Sequence, residues 1–191
     1  MKRIYVLIIV AIVIVFPVAV HSQTVAVKTN LLYDVTSTIN LGLEMGMSPK
    51  WTLELPVNYN PWEFGEYRKI KHWLIQPEAR YWFCKSFNGQ FIGFHAHIGG
   101  FNAGGLELGG VKFGTLTDYR YEGTLYGGGL SYGYHWVLNT RWSIEATLGV
   151  GYALMDYTKY DCVTCGKKEK SDTRDYIGPT KAGISLIYII K

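Results

Sequence analysis

Every second residue is apolar across Leu41-Gly-Leu-Glu-Met-Gly-Met-Ser48, and the same rhythm runs through Trp51-Thr-Leu-Glu-Leu-Pro-Val-Asn-Tyr59. A β-strand sends successive side chains to opposite faces, so a period of two makes one face apolar. The other face here carries Glu44, Glu54 and Asn58. Cut at its turn signals, the chain yields eight such segments: 25–33, 40–48, 51–60, 72–83, 90–99, 125–138, 141–156 and 176–190. The pattern predicts an all-β fold, an eight-stranded antiparallel transmembrane β-barrel that is apolar outside and polar inside.

The N-terminus fits that destination. Lys2 and Arg3 precede an apolar stretch from Ile4 to Val18, and Val20-His21-Ser22 ends on a small residue. This predicts a cleaved signal peptide over 1–22 and an outer-membrane barrel domain over 23–191. A retained anchor is the competing reading of the same stretch. Of the 19 basic and 15 acidic residues, only Lys2 and Arg3 fall in the leader, leaving a net charge of +2. Such balance argues against nucleic-acid binding. Past the leader no apolar run approaches the ~20 residues of a spanning helix, so a bilayer is crossed by closed strands or not at all.

The alternation assigns faces. Outward sets include Val25/Val27/Leu31, Leu41/Leu43/Met45/Met47, Trp51/Leu53/Leu55/Val57, Trp73/Ile75/Ala79/Tyr81 and Ile92/Phe94/Ala96/Ile98, continuing through Leu130, Leu148 and Ile184 to Ile190. Inward positions hold Lys28, Asn30, Glu44, Glu54, Gln76, Glu78, Arg80, His95, His97, Glu145 and Lys181. Connections alternate between tight turns (48–50, 85–89, 139–140) and long, charged ones (61–71, 100–124, 157–175), with only Asp34–Ile39 short on the long side. Short periplasmic turns and long external loops are the asymmetry of bacterial outer-membrane barrels. Trp51, Tyr81, Phe83, Trp136, Trp142 and Tyr188 mark the short-turn edge as an aromatic belt, and Tyr33, Tyr59, Trp73, Tyr126 and Tyr176 the other. A soluble β-sandwich also alternates, but has less reason to place Trp at strand ends.

Four inward glutamates (Glu44, Glu54, Glu78, Glu145) face three inward cations (Lys28, Arg80, Lys181). Eight strands leave room for side chains or one small ligand, so these predict a packed ion-pair network, with a narrow ion path as the alternative. Glu78 and Arg80 are expected to pair within the lumen. His95 and His97, two apart on one strand, both point inward; they serve as hydrogen-bonding lumen histidines or as two ligands of an incomplete metal site. Cys162-Val-Thr-Cys165 predicts a loop-pinning disulfide, with free thiols as the alternative, and leaves Cys84 alone. The glycines lie in or beside strands and not at a strand-to-helix phosphate cradle. His135 reads as an interfacial ring beside Trp136, and no nucleophile–base spacing marks an active site. No cofactor is expected.

Ala26-Val-Lys-Thr-Asn-Leu-Leu-Tyr-Asp34, Thr38-Ile-Asn-Leu-Gly-Leu-Glu44, Trp51-Thr-Leu-Glu-Leu55 and His72-Trp-Leu-Ile-Gln-Pro-Glu-Ala-Arg-Tyr-Trp82 carry a family likeness. Together they resemble an uncharacterised family of small outer-membrane barrels, domain-of-unknown-function family 3575. The resemblance implies an outer-membrane location in Bacteroides-like bacteria and, for some members, genes near those for surface fimbriae. It implies no catalytic residues. The chain departs from the wider barrel pattern at Ile189-Ile-Lys191, which lacks a terminal aromatic. The expectation is a non-enzymatic surface anchor or assembly accessory in contact with outer-membrane lipid, meeting a surface or fimbrial protein through loops 61–71, 100–124 and 157–175. A lipid-modifying enzyme and a narrow small-solute channel are the alternatives.

Overall fold

A computed structural model describes residues 24–64, 68–104, 107–108, 111–112, 119–160 and 168–190. The expected signal peptide at 1–22 and the expected disulfide between Cys162 and Cys165 lie outside the described residues. The strands are β1 (Val25–Asn30), β2 (Ile39–Ser48), β3 (Trp51–Asn60), β4 (Glu63–Phe64), β5 (Arg68–Ile75), β6 (Glu78–Trp82), β7 (Gly89–Gly104), β8 (Glu107–Leu108), β9 (Val111–Lys112), β10 (Arg120–Val137), β11 (Trp142–Tyr160) and β12 (Lys168–Ile189). One short helix, α1 (Leu31–Val35), follows β1. The ladder β1-β2-β3-β6-β7 continues through β10, β11 and β12 back to β1, always antiparallel. β5 and β6 together form one wall strand, so the closed barrel has eight. Among the described residues no helix is long and apolar enough to cross a membrane.

The wall strand read as 72–83 is broken at Gln76-Pro77, because proline has no N–H to give the ladder. β3 therefore pairs with β6 over Trp51–Glu54 and with β5 over Val57–Asn60. The two flanking backbones bridge the break: Gln76 N donates to Pro56 O at 3.2 Å and Ala96 N to Pro77 O at 3.0 Å.

The first segment also ends early. Asn30 leaves the strand as the N-cap of α1, its Oδ1 accepting from Leu32 N at 3.1 Å. Two asparagines then replace the missing ladder. Asn30 Nδ2 donates to Ala182 O on β12 at 3.2 Å, and Ile184 N donates to Asn30 Oδ1 at 3.3 Å. On the other side Asn30 N donates to Asn40 Oδ1 at 2.6 Å, and Asn40 Nδ2 donates to Asp34 Oδ1 at 2.7 Å. Leu31 and Tyr33 thus stand on a helix and not in the outer wall, and the Tyr33 ring turns toward His72, 6.4 Å away. Asn40→Ala is expected to lower stability by about 1–3 kcal/mol, the cost of stranding the Asn30 backbone N–H and C=O that its amide bonds, read as a shift of the urea midpoint. A midpoint within error of wild type would show that solvent already satisfies them.

The loops expected at 100–124 and 157–175 are in large part strand. Hydropathy stops alternating near Gly99 and Leu125, yet pairing continues because polar and aromatic partners face across the ladders. Arg120 lies over Tyr160 at 4.2 Å, Tyr121 packs on Tyr157 at 5.6 Å, and Thr173 Oγ1 donates to Asp156 at 2.8 Å. A bulge reverses one more face. Gly149 pairs with Lys181 but Val150 with Pro179, which leaves Thr180 as an extra residue. Before it the parity of β12 flips, so Tyr176 stands opposite inward Ala153, and the highly exposed Ile177 takes the outward position. Tyr176 therefore leaves the belt assigned to it.

Elsewhere the outer face is apolar as expected: Leu41, Leu43, Leu53, Leu55, Ile92, Phe94, Leu130 and Leu148 are all exposed. Trp51, Phe83, Trp136 and Trp142 ring the short-turn end of that face, and Tyr59, Trp73 and Tyr126 ring the other.

Candidate functional site

Register brings the charges together before any side chain is considered. Glu44 lies opposite Glu54, and Glu54 opposite Glu78, so β2, β3 and β6 present a row of three carboxylates to the lumen. Like charges in register repel unless a cation enters the row. Arg80 does so, two residues beyond Glu78 on the same face. Its Nε lies 2.6 Å from Glu78 Oε1, and its Nη1 lies 3.1 Å from Glu44 Oε2 and 3.0 Å from Glu145 Oε2. Nη2 contacts Glu54, so one guanidinium touches all four acids. The fork of Arg is the geometry that permits this.

Two lysines complete the cluster. Lys28 Nζ contacts Glu44 and lies 3.0 Å from Glu145 Oε2 and 3.6 Å from Glu54 Oε1. Lys181 Nζ lies 3.0 Å from Glu54 Oε2 and 2.7 Å from Glu78 Oε2. All seven residues singled out in the sequence as lumen charges are thereby within one network. It is buried, with Arg80 and Glu44 fully enclosed. The cavity it leaves is about 40 Å³, room for a few waters only. On β7 the network faces Gly93, where a Cβ would lie 2.6 Å from Glu78 Oε1; only glycine leaves that carboxylate its place.

Below the charges sits an aromatic floor that the alternation did not single out. Trp82, fully buried, packs on Phe91 at 4.8 Å, on Phe87 at 6.0 Å and edge-on to His135 at 5.6 Å. Its Nε1 donates to Thr52 Oγ1 at 2.9 Å. The Arg80 guanidinium stacks on Phe91 from above, 4.4 Å from the ring centre. Ala26, Ile187 and Ile189 close the base around Phe87. His135 belongs to this floor and not to an outer belt: it is buried, and its Nδ1 lies 3.5 Å from Glu145 Oε2. The parity of β10 is the reason, since Trp136 points out and its neighbour must point in.

Above the charges stand His95 and His97, both buried, with rings 5.8 Å apart. His95 Nε2 shares a 2.9 Å hydrogen bond with Thr180 Oγ1, and its Nδ1 lies 3.9 Å from Glu78 Oε2. Among the described residues no three His, Cys, Asp or Glu side chains are gathered to hold a metal ion. Thr180 was invisible in the sequence, because only the bulge turns it inward. The lumen widens above into a mouth chamber of about 480 Å³, lined among others by Tyr33, Asn60, His72 and Thr180. Cys84 is exposed beside the short-turn end and unpaired.

Taken together, the interior is a three-level stack: an aromatic floor, a charge network and a histidine level. Ion pairs fill the volume through which a solute would have to pass. The family described as "Protein of unknown function (DUF3575)" matches residues 7–190. No curated protein and no solved structure matches the chain.

Proposed function

The chain belongs to the family described as Protein of unknown function (DUF3575), and with its closed, filled barrel as the second premise we propose a non-enzymatic outer-membrane protein. In this reading residues 1–22 direct export, the apolar outer face meets lipid, and the strands raised above the long-loop end dock another envelope protein. It is an anchor or assembly accessory, and a fimbrial component is one partner of the right kind. The observation that carries the reading is the combination of an apolar band around the whole wall with an interior closed by ion pairs. Such a barrel holds a position in a bilayer and has no passage to regulate, so its working surface is what it projects.

The raised surface is built rather than loose. β10, β11 and β12 carry their ladders to Arg120, Tyr160 and Lys168. Outward pairs there are polar, as between Thr158 and Ser171 at 3.0 Å, and suit contact with protein rather than lipid. Crosslinking in intact cells, followed by mass spectrometry of whatever joins segments 61–71, 100–124 and 157–175, tests the docking role. One abundant protein partner supports it; crosslinks to lipid alone, with altered lipid masses in a deletion strain, would favour a lipid-modifying role instead.

The membrane assignment has its own test. Leu148, 62% exposed at the middle of the outer face, is expected not to tolerate arginine. Leu148→Arg should cost about 2–4 kcal/mol at a bilayer midplane and deplete the protein from the outer-membrane fraction. Normal levels of that variant in the fraction would remove lipid from the outer face.

A further inference from the structure

Three cavities share one lining residue, Ala182 on β12. On the outer face a trough of about 410 Å³ runs over the small residues Gly133, Ala146, Ala182 and Gly183 and ends at Leu32 of α1. The mouth chamber, about 480 Å³, is lined by Leu32 and Ala182 as well. Ala182 also borders the small cavity over the charge network. The wall is thin there for a topological reason. β1 pairs with β12 only up to Asn30 opposite Ser185, and above that level no strand among the described residues pairs with the β1-side edge of β12. What stands in the gap is α1, five residues with no buried side chain, held to β12 by the two hydrogen bonds of the Asn30 side chain.

We propose that this gap is a lateral portal, and that an acyl chain of a bilayer lipid lies in the outer trough and bends past Leu32 into the mouth chamber. The inference rests on the outer-membrane reading above and adds a ligand and a place to it. Both compartments suit such a chain. The trough is a shallow, open depression over glycine, alanine and Thr147, bordered by Tyr132, Tyr134, Leu148 and Ile184, with no charged residue in its lining. The chamber volume lies within the range of small-molecule sites. Its lining divides by chemistry: Leu32, Ile70, Pro179 and Ala182 are apolar, His72 adds a polar ring, and Asn60 and Thr180 are already bonded to Thr38 and His95. Irregular backbone at membrane depth is tolerated where it lines a cavity, which is the situation of α1. The lysine at the chamber, Lys181, is already engaged by Glu54 and Glu78, so recognition falls on the alkyl chain and not on a phosphate.

The test uses the full-length protein in vesicles of palmitoyl-oleoyl phosphatidylethanolamine doped with a lipid carrying a diazirine at the acyl terminus. After irradiation, labelled positions are mapped by mass spectrometry. The expected result is label on Leu32, Ala182 and Ile184 and, inside the barrel, on Ile70 or Thr180, which an ordinary annular lipid cannot reach. Ala182→Phe should reduce the interior label at least tenfold and leave label on Leu53 and Leu55 of the opposite wall unchanged. If that variant fails to fold, Leu32→Trp narrows the same gap from α1. Label confined to outward residues in the wild type would overturn the portal while leaving the membrane reading intact. Absence of label from Leu53 and Leu55 as well would overturn the membrane reading itself.

Discussion

Arg80→Ala is expected to lower the stability of the detergent-solubilised barrel by about 3–5 kcal/mol, the usual cost of breaking a buried ion pair from one side. The loss comes less from the attraction removed than from what is left behind. Glu44, Glu54, Glu78 and Glu145 all keep their burial while losing the one group that touches each of them. Lysine should not repair the defect, because a single ammonium cannot reach four carboxylates on β2, β3, β6 and β11 at once. Arg80→Met combined with Glu54→Gln and Glu145→Gln should recover part of the loss, since removing both signs of a buried cluster is far less costly than removing one. Urea unfolding followed by tryptophan fluorescence reads all three. An Arg80→Ala midpoint equal to wild type would mean that water fills the lumen and solvates the acids.

Trp82→Ala should cost a similar amount, about 3–5 kcal/mol, by a different physical route. No charge is stranded. The indole fills the space between Phe87, Phe91 and His135, and its removal leaves a cavity whose walls are held apart by the barrel. Thr52 Oγ1 also loses its donor. Trp82→Phe separates the two contributions, because it keeps most of the volume and gives up the hydrogen bond, worth about 1 kcal/mol. The heat-modified mobility shift of the folded barrel on electrophoresis gives the melting temperature of each variant. Equal melting of Trp82→Ala and wild type would show that the floor packs loosely and contributes little.

The alternation made most of the wall legible, and for a clear reason. In a barrel the two faces differ along the full height of the band, so a period of two assigns Leu53 out and Glu54 in without knowledge of neighbours. The seven lumen charges followed from the same parity. Legibility failed wherever parity was interrupted or no longer marked by hydropathy. One extra residue at Thr180 turned Tyr176 inward and Ile177 outward, and no composition signal announces a bulge of that kind. The segment expected as strand over 25–33 stops at Asn30, the last residue of β1, because its side chain caps α1 through Leu32 N and is held by Ala182 O, a partner distant in sequence. The reading of His135 as an interfacial ring beside Trp136 fails because adjacent strand residues cannot share a face, so Trp136 outside puts His135 inside. The raised ends of β7 and β10 to β12 looked like loops because their pairs are polar or aromatic on both sides, as Arg120 with Tyr160. The family likeness in Lys28-Thr29-Asn30 now has physical content: a network lysine, a threonine hydroxyl bonded to Asp34 at 3.0 Å and the cap of α1.

Because the charge network draws on β1, β2, β3, β6, β11 and β12, it cannot form from any one hairpin. A strand that slips by a single residue presents its acid or base to the outside and withdraws it from Arg80. Partly closed barrels therefore carry uncompensated charge at each wrong alignment, and the last strand to dock completes the neutralisation. The interior acts as a check on assembly, one that favours release and retrial over capture of a misregistered barrel.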